Sequence, residues 1–162
     1  MNYFELFDLP IAPIVDKSLL AKRYFDLQKK NHPDFFTNAT ESEKEESLAL
    51  SAEINKAFII FKNNQKTLEY FLIKKKIILP NEKYILPNDF LMEMMEFNEE
   101  LTDIDSSKAM ERIHQYDEAF YTEIKEYVEN YSSNISEQEF LKMKVYYYKK
   151  KYLERILDRL AD

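Results

Sequence analysis

DKSLLAKRYFDLQKKNHPDFFTNAT, residues 16–40, carries the start of a helix, its end and the turn that follows. Asp16 is a good N-cap, because a side-chain oxygen just outside a helix accepts from the free amides of the first turn. Leu20, Tyr24 and Leu27 recur at helical spacing and mark one buried face. Pro33 biases His32 away from the αR region, so the helix is expected to stop near Asn31, with residues 33–40 as a loop. A long helix should then begin near 40–42 and run to about 61, with Leu50, Ile54, Ala57, Phe58 and Phe61 as its apolar stripe. The two helices make an antiparallel pair joined by the His32-Pro33-Asp34 turn.

Before this stretch, Asn2 with Glu5 three residues on reads as a capping box for a short helix over 3–7, and Pro10 and Pro13 punctuate a loop. Another short helix is expected over about 66–76, carrying Leu68, Tyr70, Phe71 and Leu72. The stretch ILPNEKYILPND, residues 78–89, holds two prolines and ends on Asp89, a possible cap, and reads as a link between domains. Beyond it lie three helical patterns, about 88–105, 107–131 and 136–161, with Asp105 or Ser106 and Ser136 as plausible starts. With short connections they form a three-helix bundle. The fold class is all-α, without internal repeats.

Composition agrees. The chain has 162 residues, no glycine and no cysteine. Phosphate-cradling loops, dinucleotide fingerprints, tight hairpins and nucleophile elbows all lean on Gly, so those function classes drop out. Disulfides, thiolate zinc sites and cysteine nucleophiles within this chain drop out too. The start carries two acids and no basic n-region, and no apolar run approaches the length of a membrane span; a soluble, untargeted, cytoplasmic protein is expected. The net charge of −7 is uneven: residues 1–80 hold 12 basic and 11 acidic side chains, and residues 81–162 hold 11 and 19. An acidic second half argues against nucleic acid and for protein partners.

The His32-Pro33-Asp34 turn is the sharpest candidate. Lys22, Arg23, Lys29 and Lys30 precede it, and the seven-residue spacing of 22/29 and 23/30 puts all four on one helix face, opposite Leu20, Tyr24 and Leu27. A basic face leading to an exposed His and Asp suits electrostatic docking of an acidic protein; the plainer reading is a solvated lysine face beside a proline turn. In the second half, Phe90, Met94, Phe97, Leu101 and Ile104 supply a sufficient core stripe over 90–104. Leu91, Met92 and Met95 form a surplus apolar cluster with Glu96, Glu99 and Asp103 alongside, which either docks a protein or packs on the first domain or the third helix.

Other features are weaker. His114 is expected as a surface or capping residue, and Tyr146 to Tyr148 with Tyr152 as covers for interhelical seams, since three consecutive tyrosines cannot share one face. Glu96 and Glu99 lack the nearby Glu-x-x-His motif of di-iron bundles, so no metal or other cofactor is expected. The run Lys149 to Lys151 is too short and too surrounded by acids to indicate nucleic acid. An enzyme using His32 and Asp34 as an acid/base pair is a rival reading, but no nucleophile or oxyanion donor accompanies them.

With those residues in view, YFELFDLP, KRYFDLQKKNHPD, SAEINKAF and LEYFL make residues 1 to about 75 resemble a J-domain, the HPD-bearing module that engages a DnaK-class chaperone ATPase. Together with FLMEMMEFNEEL they resemble more narrowly the HscB family of iron-sulfur assembly co-chaperones, over nearly the whole chain. The resemblance implies a J-domain (1–76), a linker (77–87) and a C-terminal three-helix domain (88–162). It further implies a non-enzymatic protein that stimulates a DnaK/HscA-class ATPase and delivers the iron-sulfur scaffold IscU to it. His32, Pro33, Asp34, Lys22, Arg23, Lys29 and Lys30 would then meet the chaperone. Leu91, Met92, Met95, Glu96, Glu99 and Asp103 would meet the scaffold. An aromatic that the family places on the last helix falls on Val145 here, with a neighbouring tyrosine as the alternative. A general J-protein for unfolded clients would share the first set without the second.

Overall fold

The computed structural model describes residues 1–161, which form α-helices and one 3-10 turn, with no strand among the described residues. The helices are α1 (Tyr3–Leu6), α2 (Lys17–Lys30), α3 (Glu41–Phe61), α4 (Asn64–Lys74), α5 (Asn88–Glu100), α6 (Ser106–Thr122), α7 (Lys125–Glu129) and α8 (Glu137–Ala161). The chain divides into two compact units, Met1–Phe71 and a second from Leu72 onward.

In the first unit the caps act where the sequence places them. Asp16 accepts from Leu19 N–H at 3.0 Å, and Thr40 Oγ1 accepts from Glu43 N–H at 3.2 Å. Asn2 Oδ1 accepts from Phe4 N–H at 2.9 Å, a simple N-cap; the expected return bond from Glu5 is not formed among the described residues. Helices α2 and α3 run antiparallel: Tyr24 stacks on Phe58 at 4.0 Å, Gln28 donates to Asn55, and Asn31 reaches Ser47 and Ser51. Residues 33–40 are not all loop, because Pro33–Phe36 wind into a 3-10 turn with Pro33 at its start, where its missing N–H is not needed. Phe4, Phe7 and Phe61 are fully buried, with ring centroids 5.0 and 5.7 Å from Phe61. Burying each such ring contributes about 1.5–3 kcal/mol. Lys17 Nζ donates to the Phe61 carbonyl at 2.8 Å at the end of α3, and burial lowers its pKa.

With no glycine available, two helix ends close on other residues in the left-handed region. Asp8 (φ 49°) ends α1 and Lys76 (φ 60°) ends α4. In each case paired backbone bonds span the turn, Leu9 N–H to Phe4 O with Asp8 N–H to Glu5 O, and Ile77 N–H to Leu72 O with Lys76 N–H to Ile73 O. This is the Schellman pattern, in which glycine usually fills the left-handed position.

The second unit is a three-helix bundle of α5, α6 and α8 with α7 as a short extra turn. Phe97 meets Tyr116 at 5.1 Å, Phe90 meets Phe120 at 5.5 Å and Tyr152 at 5.6 Å, and Tyr146 Oη donates to Asp117 at 2.7 Å. Helix α8 opens with a reciprocal box: Glu139 N–H donates to Ser136 Oγ and Ser136 N–H donates to Glu139 Oε1, both at 3.1 Å. Two expected helices differ. The span 107–131 breaks after Thr122, where Ile124 N–H bonds Tyr121 O and both Ile124 and Val128 turn into the core. The span 88–105 ends at Glu100, because Thr102 Oγ1 donates to the Glu99 carbonyl at 2.9 Å and three-residue turn bonds replace helical ones. Leu101 and Ile104 are therefore half-buried turn residues instead of helical core positions. Asp89 acts inside the first turn of α5, accepting from Phe90 N–H, while Pro87 stands at the cap.

The stretch 77–87 groups with the second unit. Ile78 and Leu86 are buried, Glu82 accepts from Lys144 Nζ at 3.2 Å and from Tyr148 Oη at 2.9 Å, and Tyr84 stacks on Tyr148 at 4.9 Å. Tyr146, Tyr147 and Tyr148 are all buried, and these different neighbours of Tyr146 and Tyr148 show how consecutive tyrosines serve separate seams.

Candidate functional site

The His32-Pro33-Asp34 turn lies at the connected end of the α2–α3 hairpin, directly after α2. His32 Nδ1 accepts from Asp34 N–H at 3.2 Å and lies 3.5 Å from Asp34 Oδ2. Nδ1 is thus engaged within the turn, while Nε2 has no partner among the described residues. His32, Pro33 and Asp34 are all exposed. What holds the turn in place is Asn31, which is buried: its Nδ2 donates to Ser47 O at 2.9 Å and Ser51 Oγ at 2.7 Å, and its Oδ1 accepts from Ser47 Oγ at 2.9 Å. These three were not singled out in the sequence. The available signal is two serines four apart on the buried stripe of α3, facing an Asn at the end of the partner helix.

Of the four basic residues, Lys22, Lys29 and Lys30 are exposed and have no carboxylate partner among the described residues. Arg23 differs: it is half-buried, its guanidinium stands 3.4 Å from Asp8, and its Nε is buried without a partner. Tyr3 Oη donates to Glu53 at 2.7 Å on the same unit; that bond is the main cause that raises the Tyr3 pKa to about 12 and holds Glu53 below its ordinary range.

On α5, the core takes Phe90, Met94 and Phe97, all buried. Met92 and Met95 are left 63% and 64% exposed, Leu91 half-buried, and Glu96 and Glu99 exposed beside them. The patch therefore does not pack into its own bundle. Asp103 is exposed but lies in the turn after α5. Val145 lines a groove of about 170 Å³ between α6 and α8, with Phe120, Ile124, Leu141 and Lys149. Lys149 Nζ stands over the Phe120 ring at 4.6 Å and the Phe90 ring at 5.3 Å, so α8 meets the start of α5 through Lys149 and Tyr152. His114 is exposed and pairs with Glu118 at 2.9 Å. Among the described residues no group of three His, Asp or Glu side chains could hold a metal, and no helix is long and apolar enough to cross a membrane.

Comparison with known proteins matches residues 86–161 to the family model described as the HSCB C-terminal oligomerisation domain. A co-chaperone protein HscB homolog of Shewanella woodyi is 32% identical over 170 aligned positions, covering 100% of this chain and 98% of that protein. The chain belongs to the HscB co-chaperone family. The HscB homologs of Shewanella halifaxensis and Colwellia psychrerythraea are 44% and 39% identical over shorter stretches, which span 62% and 60% of those relatives. Two solved HscB structures share the fold. Human HscB superimposes with a TM-score of 0.77 at 30% identity, covering 99% of this chain and 81% of that one. Vibrio cholerae HscB gives 0.66 at 28%, covering 99% and 96%. The fold is thus that of HscB proteins, a J-domain and a C-terminal helical domain.

Proposed function

We propose that this chain is a non-enzymatic, cytoplasmic co-chaperone that stimulates the ATPase of a DnaK/HscA-class chaperone and brings an IscU-type iron-sulfur scaffold to it. The observation that carries the reading is the pair of exposed surfaces left over once each unit has filled its core: His32 and Asp34 on one, Met92 and Met95 on the other. Functionally, residues 1–76 serve as the J-domain, 77–87 as the junction and 88–162 as the scaffold-binding domain. His32, Pro33 and Asp34 engage the chaperone, and Lys22, Lys29 and Lys30 steer the approach, with Arg23 contributing less because Asp8 already holds it. A co-chaperone can bias its partner's switch only by binding one state more tightly, so the contacts at His32 and Asp34 must favour the hydrolysis-competent state. Leu91, Met92 and Met95 provide adaptable apolar area for the scaffold, Glu96, Glu99 and Asp103 orient it, and Val145 completes the site from α8. Holding the scaffold on the same chain raises its effective concentration at the chaperone.

Steady-state ATP hydrolysis by an HscA-class chaperone, with and without IscU, tests both halves. Wild type is expected to stimulate hydrolysis, more so with IscU, and His32→Gln to abolish the stimulation. Met92→Ala with Met95→Ala is expected to weaken IscU binding by about tenfold or more, while stimulation without scaffold persists. Intact IscU binding in that double variant would instead favour a general J-protein for unfolded clients. Hydrolytic activity of the isolated chain that His32→Gln removes would favour the acid/base reading.

A further inference from the structure

Phe25 on α2 and Phe35 in the 3-10 turn are 66% and 67% exposed. Scattered exposed apolar side chains are ordinary, but these two share a setting. Lys22, Phe25 and Lys29 follow one another at three- and four-residue steps and form a single stripe along α2. Phe35 closes the end of that stripe, lining a concavity of about 440 Å³ with Asp26, Lys29 and Lys30. Its ring meets the His32 ring edge-on at 6.5 Å, so the stripe runs directly into the His-Pro-Asp turn. Lys22, Lys29 and Lys30 carry no ion pair among the described residues, and Asp26 is the lone acid among them.

We propose that Phe25 and Phe35 are apolar anchors set in this cationic stripe, and that they seat on an acidic protein surface with an apolar recess, that of the chaperone ATPase. The proposal rests on the functional reading above and adds the residues that would give the J-domain its grip. Three unpaired lysines favour a negatively charged occupant. Two phenyl rings require that it also present apolar area, since aromatic anchors beside cations are the composition of interface hot spots. A protein is favoured over an anionic membrane because His32 and Asp34, at the end of the stripe, offer directional hydrogen bonds. The lysines then govern encounter and salt dependence, the rings govern residence time, and His32 with Asp34 governs the switch.

The test is a titration of an HscA-class chaperone's ATPase with wild type, Phe25→Ala, Phe35→Ala, the double alanine variant, the double leucine variant and His32→Gln. The double alanine variant is expected to need about tenfold more protein for half-maximal stimulation while reaching the wild-type maximum with the same salt dependence. The double leucine variant should recover most of the loss. His32→Gln should lose the maximum itself. Both rings are exposed, so the thermal melt of the alanine variants should match wild type. Wild-type titration by the double alanine variant, with His32→Gln still inactive, would overturn the anchors and leave the functional reading standing. Absence of stimulation by wild type would sink both. Self-association of wild type in sedimentation equilibrium, or binding to phosphatidylglycerol vesicles, either one lost in the double variant, would reassign the rings and overturn the proposal.

Discussion

Asn31 shows how much of the candidate site is held from beneath. Its three hydrogen bonds tie the last residue before His32 to the buried face of α3, and nothing in the turn itself replaces them. Asn31→Ala leaves the Ser47 carbonyl and hydroxyl without that partner in a buried position, which costs about 1–3 kcal/mol. The expected result is a lower urea midpoint at unchanged slope, together with weaker ATPase stimulation although His32 and Asp34 are untouched. A wild-type midpoint would show that water or a neighbouring group replaces the side chain. The motif was legible because His, Pro and Asp stand consecutively; the Asn31–Ser47–Ser51 support was not, because it joins residues 16 and 20 apart that meet only after α2 and α3 pair.

At the scale of elements, starts were easier to find than ends. Asp16, Thr40, Asp105 and Ser136 each carry a side-chain oxygen that announces a first turn, and each is seen accepting from a backbone N–H. Apart from α2, which Pro33 ends near Asn31, the ends lack such a signal in a chain without glycine. Helix α4 closes on Lys76 at φ 60°, a conformation that crowds a Cβ. Lys76→Gly is expected to stabilise the protein by about 0.5–1 kcal/mol, less than the full strain because glycine loses more entropy on folding. Denaturant unfolding monitored by circular dichroism reads this directly, and a lower midpoint would mean that the lysine side chain contributes more than its backbone strain. Likewise α5 stops at Glu100 through the Thr102 hydroxyl, and α6 yields to α7 at Ile124, whose burial is a tertiary matter that no periodicity in 107–131 records.

For the whole molecule, the charge imbalance has a structural consequence on α8. Burial raises the Glu154 pKa most, Lys150 works against it, and Asp158 and Asp117 add repulsion. A carboxyl with a raised folded pKa leaves stability intact below its unfolded value near 4.3 and removes some as pH rises through the folded value. Glu154→Gln should therefore melt higher than wild type at pH 7, by about 1–2 °C given solvent screening at a half-exposed site. The difference should vanish near pH 4. Equal melting temperatures at both pH values would mean that Lys150 fully compensates the carboxylate.

Spacing and side-chain chemistry along the chain already dictate that it is all-α, where its long helices begin, and which residues stand in the His-Pro-Asp turn and on the Leu/Met face of α5. These are local properties, set by spacing, by capping oxygens and by the one backbone angle that proline restricts. Tertiary structure alone decided that Arg23 is held by Asp8, that 77–87 lies with the second unit through Glu82, and that Phe25 and Phe35 stay in solvent. Each of these depends on which distant groups share a neighbourhood, and a helical period names the face a residue occupies without naming what that face meets.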